Sequence, residues 1–336
     1  MYPLIGIAAL GLGALLIDSR REKSPAAQAY FDRFHERIRL GEDNEKAELR
    51  KKRQILLDDL QANLPPGTPS FEWFNQGSYA MHTGTVPLNS DYDIDIGLIF
   101  DCTRAAYKDP VALKVAVRDA LKRSRRTVRV RNSCVTAHYL REGQSAYHVD
   151  FAVYVKRADG LLDIAKGKEH SEPTRRLWEK SNPQNLTRRL ANRFNKDELR
   201  QYRRCIRYLK RWRDLHFTSG APVSIALTAA AYHWFEPRHQ LVNSQPLDLL
   251  ALHSWTKSIL NQFKHIQTAE GRYMRLQVEL PVEPKLDLLA KMTKAQMLGL
   301  QSRLTSLCES LDKAKRASTL DECIRLLSEQ FGADFK

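Results

Sequence analysis

The chain has 336 residues and 43% hydrophobic content, enough to bury a sizeable core as one large or two medium domains, which excludes a disordered, tail-like protein. Its 54 Lys and Arg against 39 Asp and Glu leave a formal charge of +15, which suits a polyanionic partner (nucleoside triphosphate, nucleic acid or acidic lipid) without choosing among them. The five cysteines are scattered and contain no C-x-x-C pair, so neither a zinc nor a redox site is indicated, and free thiols in a reducing cytoplasm are expected.

Residues 3–17 are apolar and Gly-rich and are followed by Arg20, Arg21 and Lys23. The run is shorter than the roughly 20 apolar residues a bilayer span needs. Its positive charges follow it, where a signal peptide has them in front. A cytoplasmic location is expected, and residues 1–24 read as an extension with three readings open: a weak membrane anchor, a partner-binding segment, or a start codon placed too early. From Pro25, apolar residues at three- and four-residue spacings (Tyr30, Phe31, Phe34, Ile38, then Leu49, Ile55, Leu56, Leu60, Leu64) predict two amphipathic helices or one broken at Leu40-Gly41. Pro65-Pro66-Gly67 and Pro69 end this segment, and Ser70 to Asn75 reads as a short strand.

Gly77 and Ser78 follow that strand and lead into helix-compatible Tyr79-Ala80-Met81-His82. A tight turn there would aim backbone N–H groups and the Ser78 hydroxyl at an anion; alone, Gly-Ser at a turn is more often only a turn. After a polar turn come Asp91-Tyr92-Asp93-Ile94-Asp95, reading as a strand. Asp93 and Asp95, two apart, project from one face while Tyr92, Ile94 and Ile96 project from the other. Two like charges side by side repel unless a cation lies between them, although a solvated edge strand would also tolerate the pattern. Magnesium, which takes carboxylates together with phosphate oxygens, is the natural cation, with manganese as the substitute. Two such ions can activate an attacking hydroxyl and hold a leaving pyrophosphate. Asp91 shares the parity of the pair and is placed at the strand mouth, outside the metal shell.

Val128-Arg129-Val130 and Tyr147 to Val155 also read as strands. In the second, Val149, Phe151, Val153 and Val155 alternate with His148, Asp150 and Ala152. A charge at Asp150 inside a core-like strand is expensive unless it is paired or metal-bound, which makes Asp93, Asp95 and Asp150 a sheet-borne triad.

The order Gly77-Ser78, Asp93-x-Asp95 and an apolar-flanked Asp150 resembles that of the polymerase-β-like nucleotidyltransferases. The fuller set, Gln76-Gly77-Ser78-Tyr79 with Thr83, Pro87-Leu88, Asp91 to Asp95 and His148-Val149-Asp150, looks like the bacterial relatives of cyclic GMP-AMP synthase, the CD-NTases of CBASS anti-phage operons. The resemblance covers most of the chain from about Pro25; the catalytic motifs carry it, and the helical remainder matches loosely. It implies a bilobed α+β fold: a nucleotidyltransferase core of N-terminal helices plus a mixed catalytic sheet (25–172), and a helical lobe closing the nucleotide cleft (173–336). It further implies that two or three nucleoside triphosphates are linked and cyclised into an oligonucleotide that activates a separate effector, with an activator protein required in some relatives. By the same analogy Asp93 and Asp95 hold two magnesium ions, Asp150 helps with the one that activates the hydroxyl, and Gln76 and Ser78 touch base or phosphate.

Lys122 to Arg131 carries six basic residues and no acid, read as a solvated face running from a helix end into a strand. Leu161 to Glu172 reads as irregular. Between Thr174 and His216 lie 14 Lys or Arg against 4 Asp or Glu. There Leu199, Tyr202, Ile206 and Leu209 share one helix face while Arg200, Arg203, Arg204, Arg207 and Arg211 share another, so residues 199–213 are a candidate nucleic-acid surface. Arg207 to Trp212 is similar to the family helix whose Lys reaches the triphosphate, a role that falls on Lys210. Pro222-Val223-Ser224 resembles the family's Pro-x-Ser, placing Ser224 at or near an N-cap and against phosphate. Helices are predicted over 225–235, 247–263, 286–311 and 320–331, and Leu280 to Leu289 is reminiscent of the same synthases. Two other functions fit the residues: a template-independent polymerase of the same superfamily, and a non-catalytic nucleic-acid-binding module, against which the acidic triad argues.

Overall fold

The computed structural model describes residues 24–40, 45–88, 92–123, 126–141, 144–268 and 271–336. In chain order the elements are α1 (Ser24–Ile38), α2 (Glu45–Asn63), β1 (Phe71–Asn75), the single turn α3 (Gly77–Ala80), β2 (Tyr92–Phe100), α4 (Pro110–Leu121), β3 (Arg126–Val130), β4 (Val135–Arg141), β5 (Gln144–Lys156), β6 (Leu162–Lys166), β7 (Leu177–Ser181), α5 (Pro183–Ala191), α6 (Lys196–His216), α7 (Ser224–Trp234), α8 (Asp248–Leu260), β8 (Lys264–Thr268), β9 (Gly271–Arg275), α9 (Lys294–Arg316) and α10 (Leu320–Phe331). The fold is α+β and divides into two compact units: one spans 39–195 and 278–288, the other 1–38, 196–277 and 289–336.

The first unit is built on a seven-stranded mixed sheet in the order β1-β2-β5-β4-β3, with β6 on the end of β5 and β7 on β6. β2 and β5 run parallel along their length, and the neighbouring pairs are antiparallel. Strict alternation decides which face is core. Ile94, Ile96, Leu98 and Phe100 of β2 and Val149, Phe151, Val153 and Val155 of β5 are fully buried. They cluster with Leu49, Leu56, Leu57 and Leu60 of α2 and Leu113, Val117 and Leu121 of α4. Each such aliphatic side chain contributes about 1.5–3 kcal/mol when taken out of water. The other face of β2 and β5 is thereby left for polar groups. Inside this unit Lys114 of α4 is fully buried, and its ammonium donates to the carbonyls of Arg131 (2.6 Å), Asn132 (3.0 Å) and Gly167 (2.6 Å), tying the β3–β4 turn to the end of β6.

In the second unit α1 buries Ala27, Phe31, Phe34 and Ile38. Phe31 and Phe34 pack on Tyr208 of α6, on Phe331 at the end of α10 and on Phe335. Asp248 at the start of α8 has no exposed surface. It accepts from Arg204 (2.7 and 2.8 Å), Gln201 (3.1 Å) and Tyr208 (2.9 Å), while its own N–H donates to Gln28 (2.9 Å).

Several expectations change. The expected division at 172 does not match the compact units: α1 belongs with the helical unit because its aromatic face packs there, while β7 and α5 stay with the sheet, β7 through its ladder to β6. Residues 24–63 form two helices, as the first alternative had it. The helix predicted over 286–311 starts at Lys294, where Thr293 and Gln296 make a reciprocal capping box. The residues before it return to the sheet unit, with Leu280 N–H donating to Leu286 and Leu288 N–H to Val278. The stretch expected to be irregular after Leu161 contains β6. All five cysteines are free. Among the described residues no helix is long and apolar enough to cross a membrane, and residues 1–23, on which the anchor question falls, lie outside them.

The Asp248 network generates a stability test. Burial alone would raise this carboxyl; hydrogen bonds and charge from Arg204, with Gln201 and Gln28, outweigh burial and hold it below the ordinary value of 3.8. Its stabilisation is therefore present above pH 3.8 and lost as pH falls below that value through the lower folded-state value. Arg204→Met is expected to cost about 3–5 kcal/mol at neutral pH by leaving a buried charge unpaired. Urea unfolding at pH 7 and at pH 3 checks both, because the penalty should shrink at the lower pH.

Candidate active site

The parallel register of β2 and β5 sets Asp95 opposite Asp150 and Asp93 opposite His148. Because side chains alternate, all four stand on the face away from the α2–α4 core. β4 continues the row, with Thr136 opposite Asp150 and His138 opposite His148, the two imidazoles 5.5 Å apart. Asp93, His148 and Asp150 each offer a ligand atom within 4.8 Å of the others. His148 Nε2 lies 3.2 Å from Asp93 Oδ1, with Asp93 the more exposed of the two. Asp150 Oδ1 is buried and has no hydrogen-bond partner. An acceptor oxygen buried without a donor, beside two further carboxylates and an imidazole, is the donor set a divalent cation fits. The charge of Asp150 is also felt at Cys134, whose thiol is pushed up to about 12, by burial first and by that carboxylate second.

Asp95 is placed by the turn in front of it. Gln76 N–H donates to the Asp95 carbonyl (3.0 Å), and Gly77 follows with φ +64 at the start of α3. A Cβ on Gly77 would stand 1.8 Å from Asp95 Oδ2, so glycine is required both by the left-handed backbone and by the carboxylate lying against it. The side chain of Gln76 accepts from Tyr154 OH (2.9 Å), and burial raises the Tyr154 phenol, which keeps it a donor. Gln76, expected to touch base or phosphate, thus also has an internal role, locking the turn to β5. One residue pair further along the same face, Gly97 leaves room for the Phe74 ring, which a Cβ there would meet at 2.2 Å.

The structure therefore gathers Gln76, Gly77, Ser78, Asp93, Asp95 and Asp150 in the sheet unit. Asp91 lies outside the described residues. Lys210 and Ser224 belong to the helical unit. Lys210 is 4% exposed, on the inner side of α6. Ser224 is the first residue of α7; the N-cap is Val223 and no side-chain cap is made, so capping does not account for this serine. His148 stands in the sequence motif but was given no role there, although its offset of two from Asp150 equals that of Asp93 from Asp95, and in a parallel pair equal offsets stand opposite. The two basic stretches are partly neutralised from within. Arg126 and Arg123 pair with Asp59 of α2, Arg204 holds Asp248, and Arg211 is buried near Asp334.

The Gly77 cradle is open to test. Gly77→Ala is expected to cost about 1–2 kcal/mol for the left-handed residue alone, and to weaken divalent-cation binding by displacing Asp95. Thermal unfolding and calorimetric titration with manganese check the two effects separately.

Residues 71–154, from β1 to near the end of β5, match the family model described as the Cyclic GMP-AMP synthase DncV-like, nucleotidyltransferase domain. No curated protein sequence matches the chain. Among solved structures, Vibrio cholerae DncV cyclic AMP-GMP synthase is similar over 91% of this chain and 96% of its own, with 16% identity and a TM-score of 0.68. Bradyrhizobium diazoefficiens CdnG, a CD-NTase solved in complex with GTP, is similar over 90% and 94%, with 16% identity and a TM-score of 0.66. CdnC of Escherichia coli MS115-1, solved with HORMA, is similar over 92% and 98%, with 16% identity and a TM-score of 0.66. At these identities the structures establish the fold, and the family model supplies the domain. With the carboxylates of β2 and β5 in place, residues 71–154 match a DncV-like nucleotidyltransferase domain, within a chain whose fold is the one these solved structures share.

Proposed function

We propose that this nucleotidyltransferase is a cyclic oligonucleotide synthase that joins nucleoside triphosphates into a cyclic di- or trinucleotide, with release of pyrophosphate, in anti-phage signalling. The observation that carries the reading is the row of Asp93, Asp95 and Asp150 on adjacent parallel strands, with Asp150 Oδ1 buried and unpartnered. A surface built only to bind polyanions gains nothing from three carboxylates, whereas phosphoryl transfer needs them.

In each round a ribose hydroxyl forms a bond to an α-phosphorus, the bond from that phosphorus to pyrophosphate breaks, and the hydroxyl proton leaves. A bound pair of magnesium ions supplies activation of the hydroxyl and neutralisation of the phosphate charge. Asp93 and Asp95 would hold both ions, with Asp150 sharing the one on the hydroxyl side. The short turn at Gly77-Ser78 orders Asp95, and Ser78, Lys210 and Ser224 serve the triphosphate. Alignment of the reacting atoms is the main contribution of the protein, worth up to about 7–11 kcal/mol in well-oriented systems. The Vibrio cholerae enzyme solved with the linear intermediate 5' pppA(3',5')pG supports a linear first product that is then closed. The HORMA complex of CdnC supports an activator protein as a partner here. The product would act on a separate effector.

The test is incubation of purified protein with labelled ATP, GTP, CTP and UTP plus magnesium, followed by phosphatase and resolution of the products. Phosphatase-resistant label is expected, and Asp93→Ala/Asp95→Ala should lower it by at least about 10²-fold. Linear, phosphatase-sensitive ladders would instead identify a template-independent polymerase. Nucleic-acid binding without pyrophosphate release, alone or with an activator, would leave a binding module.

A further inference from the structure

We propose that His148 is a direct nitrogen ligand of the cation held by Asp93 and Asp150, and that it moves the preference of that position from magnesium towards manganese and cobalt. The inference rests on the metal-dependent reading above and adds a ligand to the three carboxylates.

β2 and β5 are parallel, so the residue two before Asp150 stands beside the residue two before Asp95, on the same face. The donor atoms of Asp93, His148 and Asp150 lie within 4.8 Å of one another, and Asp95 falls outside that set. Donors on opposite sides of one small cation, with bonds of about 2.1 Å, stand about 4.2 Å apart. The three atoms are therefore close to the spacing one ion imposes. Asp150 Oδ1, buried and without a donor, supplies an open coordination point, and His148 Nε2 is the ring nitrogen turned towards Asp93, at 3.2 Å.

Two roles for the imidazole can be told apart by chemistry. If His148 only holds Asp93 in place, its removal weakens every divalent cation by a similar factor. If it is a ligand, the effect is selective. Magnesium favours oxygen donors and gains little from nitrogen, whereas imidazole raises affinity for manganese and, further along the Irving–Williams order, for cobalt.

The experiment measures manganese binding to the full chain by electron paramagnetic resonance, with magnesium as competitor, with and without a non-hydrolysable nucleoside triphosphate. Pulsed spectra of the wild type should show nitrogen-14 modulation on bound manganese. His148→Gln should abolish that modulation and weaken manganese by about tenfold or more while leaving magnesium nearly unchanged. Absence of nitrogen modulation in the wild type overturns the proposal, as does an equal loss of manganese and magnesium in His148→Gln. If His148→Gln fails to give the circular dichroism of the wild type, the wild-type pulsed spectrum decides. Asp93→Asn and Asp150→Asn separate the layers. Manganese binding unaffected by either substitution sinks the metal-dependent reading itself, and binding lost in both but intact in His148→Gln removes only the histidine. A wild-type chain that binds no manganese under either condition overturns both.

Discussion

The pairing of β2 with β5 is the constraint on which the sheet unit depends. It places Asp95 beside Asp150 with no residue between them, and two carboxylates about 5 Å apart repel by about 3 kcal/mol at an effective dielectric of 20. That repulsion is tolerated because the opposite faces of the same two strands are wholly apolar and held by α2 and α4. A one-residue slip would turn every carboxylate into the core and every valine out of it, so the pattern that builds the core also fixes the acidic row.

Lys114, Asp248 and Asp150 make an instructive contrast. Lys114 meets three carbonyls, and Asp248 meets an arginine, a glutamine amide and a phenol. Both are complete, and what they hold together is structure: a turn against a helix in one unit, α6 against α8 in the other. Asp150 is different in kind, since one of its oxygens is shielded from water and given no donor. A carboxylate oxygen shielded from water and given no donor points to a cation from outside.

Much of the site was legible because strand alternation is a local property. Asp93, Asp95 and Asp150 could be assigned to one face from period two alone, and Gly77 could be assigned to a turn from its neighbours. What was not legible depended on pairing. Nothing in the residues around His148 says which strand lies beside it, and only the register reveals Asp93 as its neighbour. The pairing of Arg204 was hidden for a similar reason: on a helical wheel it falls on a basic face, and its buried partner Asp248 lies 44 residues away. Helix starts failed where a cap outweighed periodicity, since Leu286 to Leu289 is apolar enough to predict a helix but pairs with 278–280 before Thr293 opens α9. The expected division at 172 followed the motifs, whereas the packing follows aromatic contacts that tie α1 to the far end of the chain.

Those contacts bear on how the protein is made. Phe31 and Phe34 emerge from the ribosome early, yet the rings they pack against at Phe331 and Phe335 are synthesised some 300 residues later. At about 5–20 residues per second that is a delay of roughly 15–60 s. Through that interval the sheet unit has nearly all of its strands available, while the aromatic face of α1 waits for partners. The sheet can thus form first, and the helical unit is completed only once Phe331 and Phe335 have been made, with the aromatic face of α1 uncovered on that side until then.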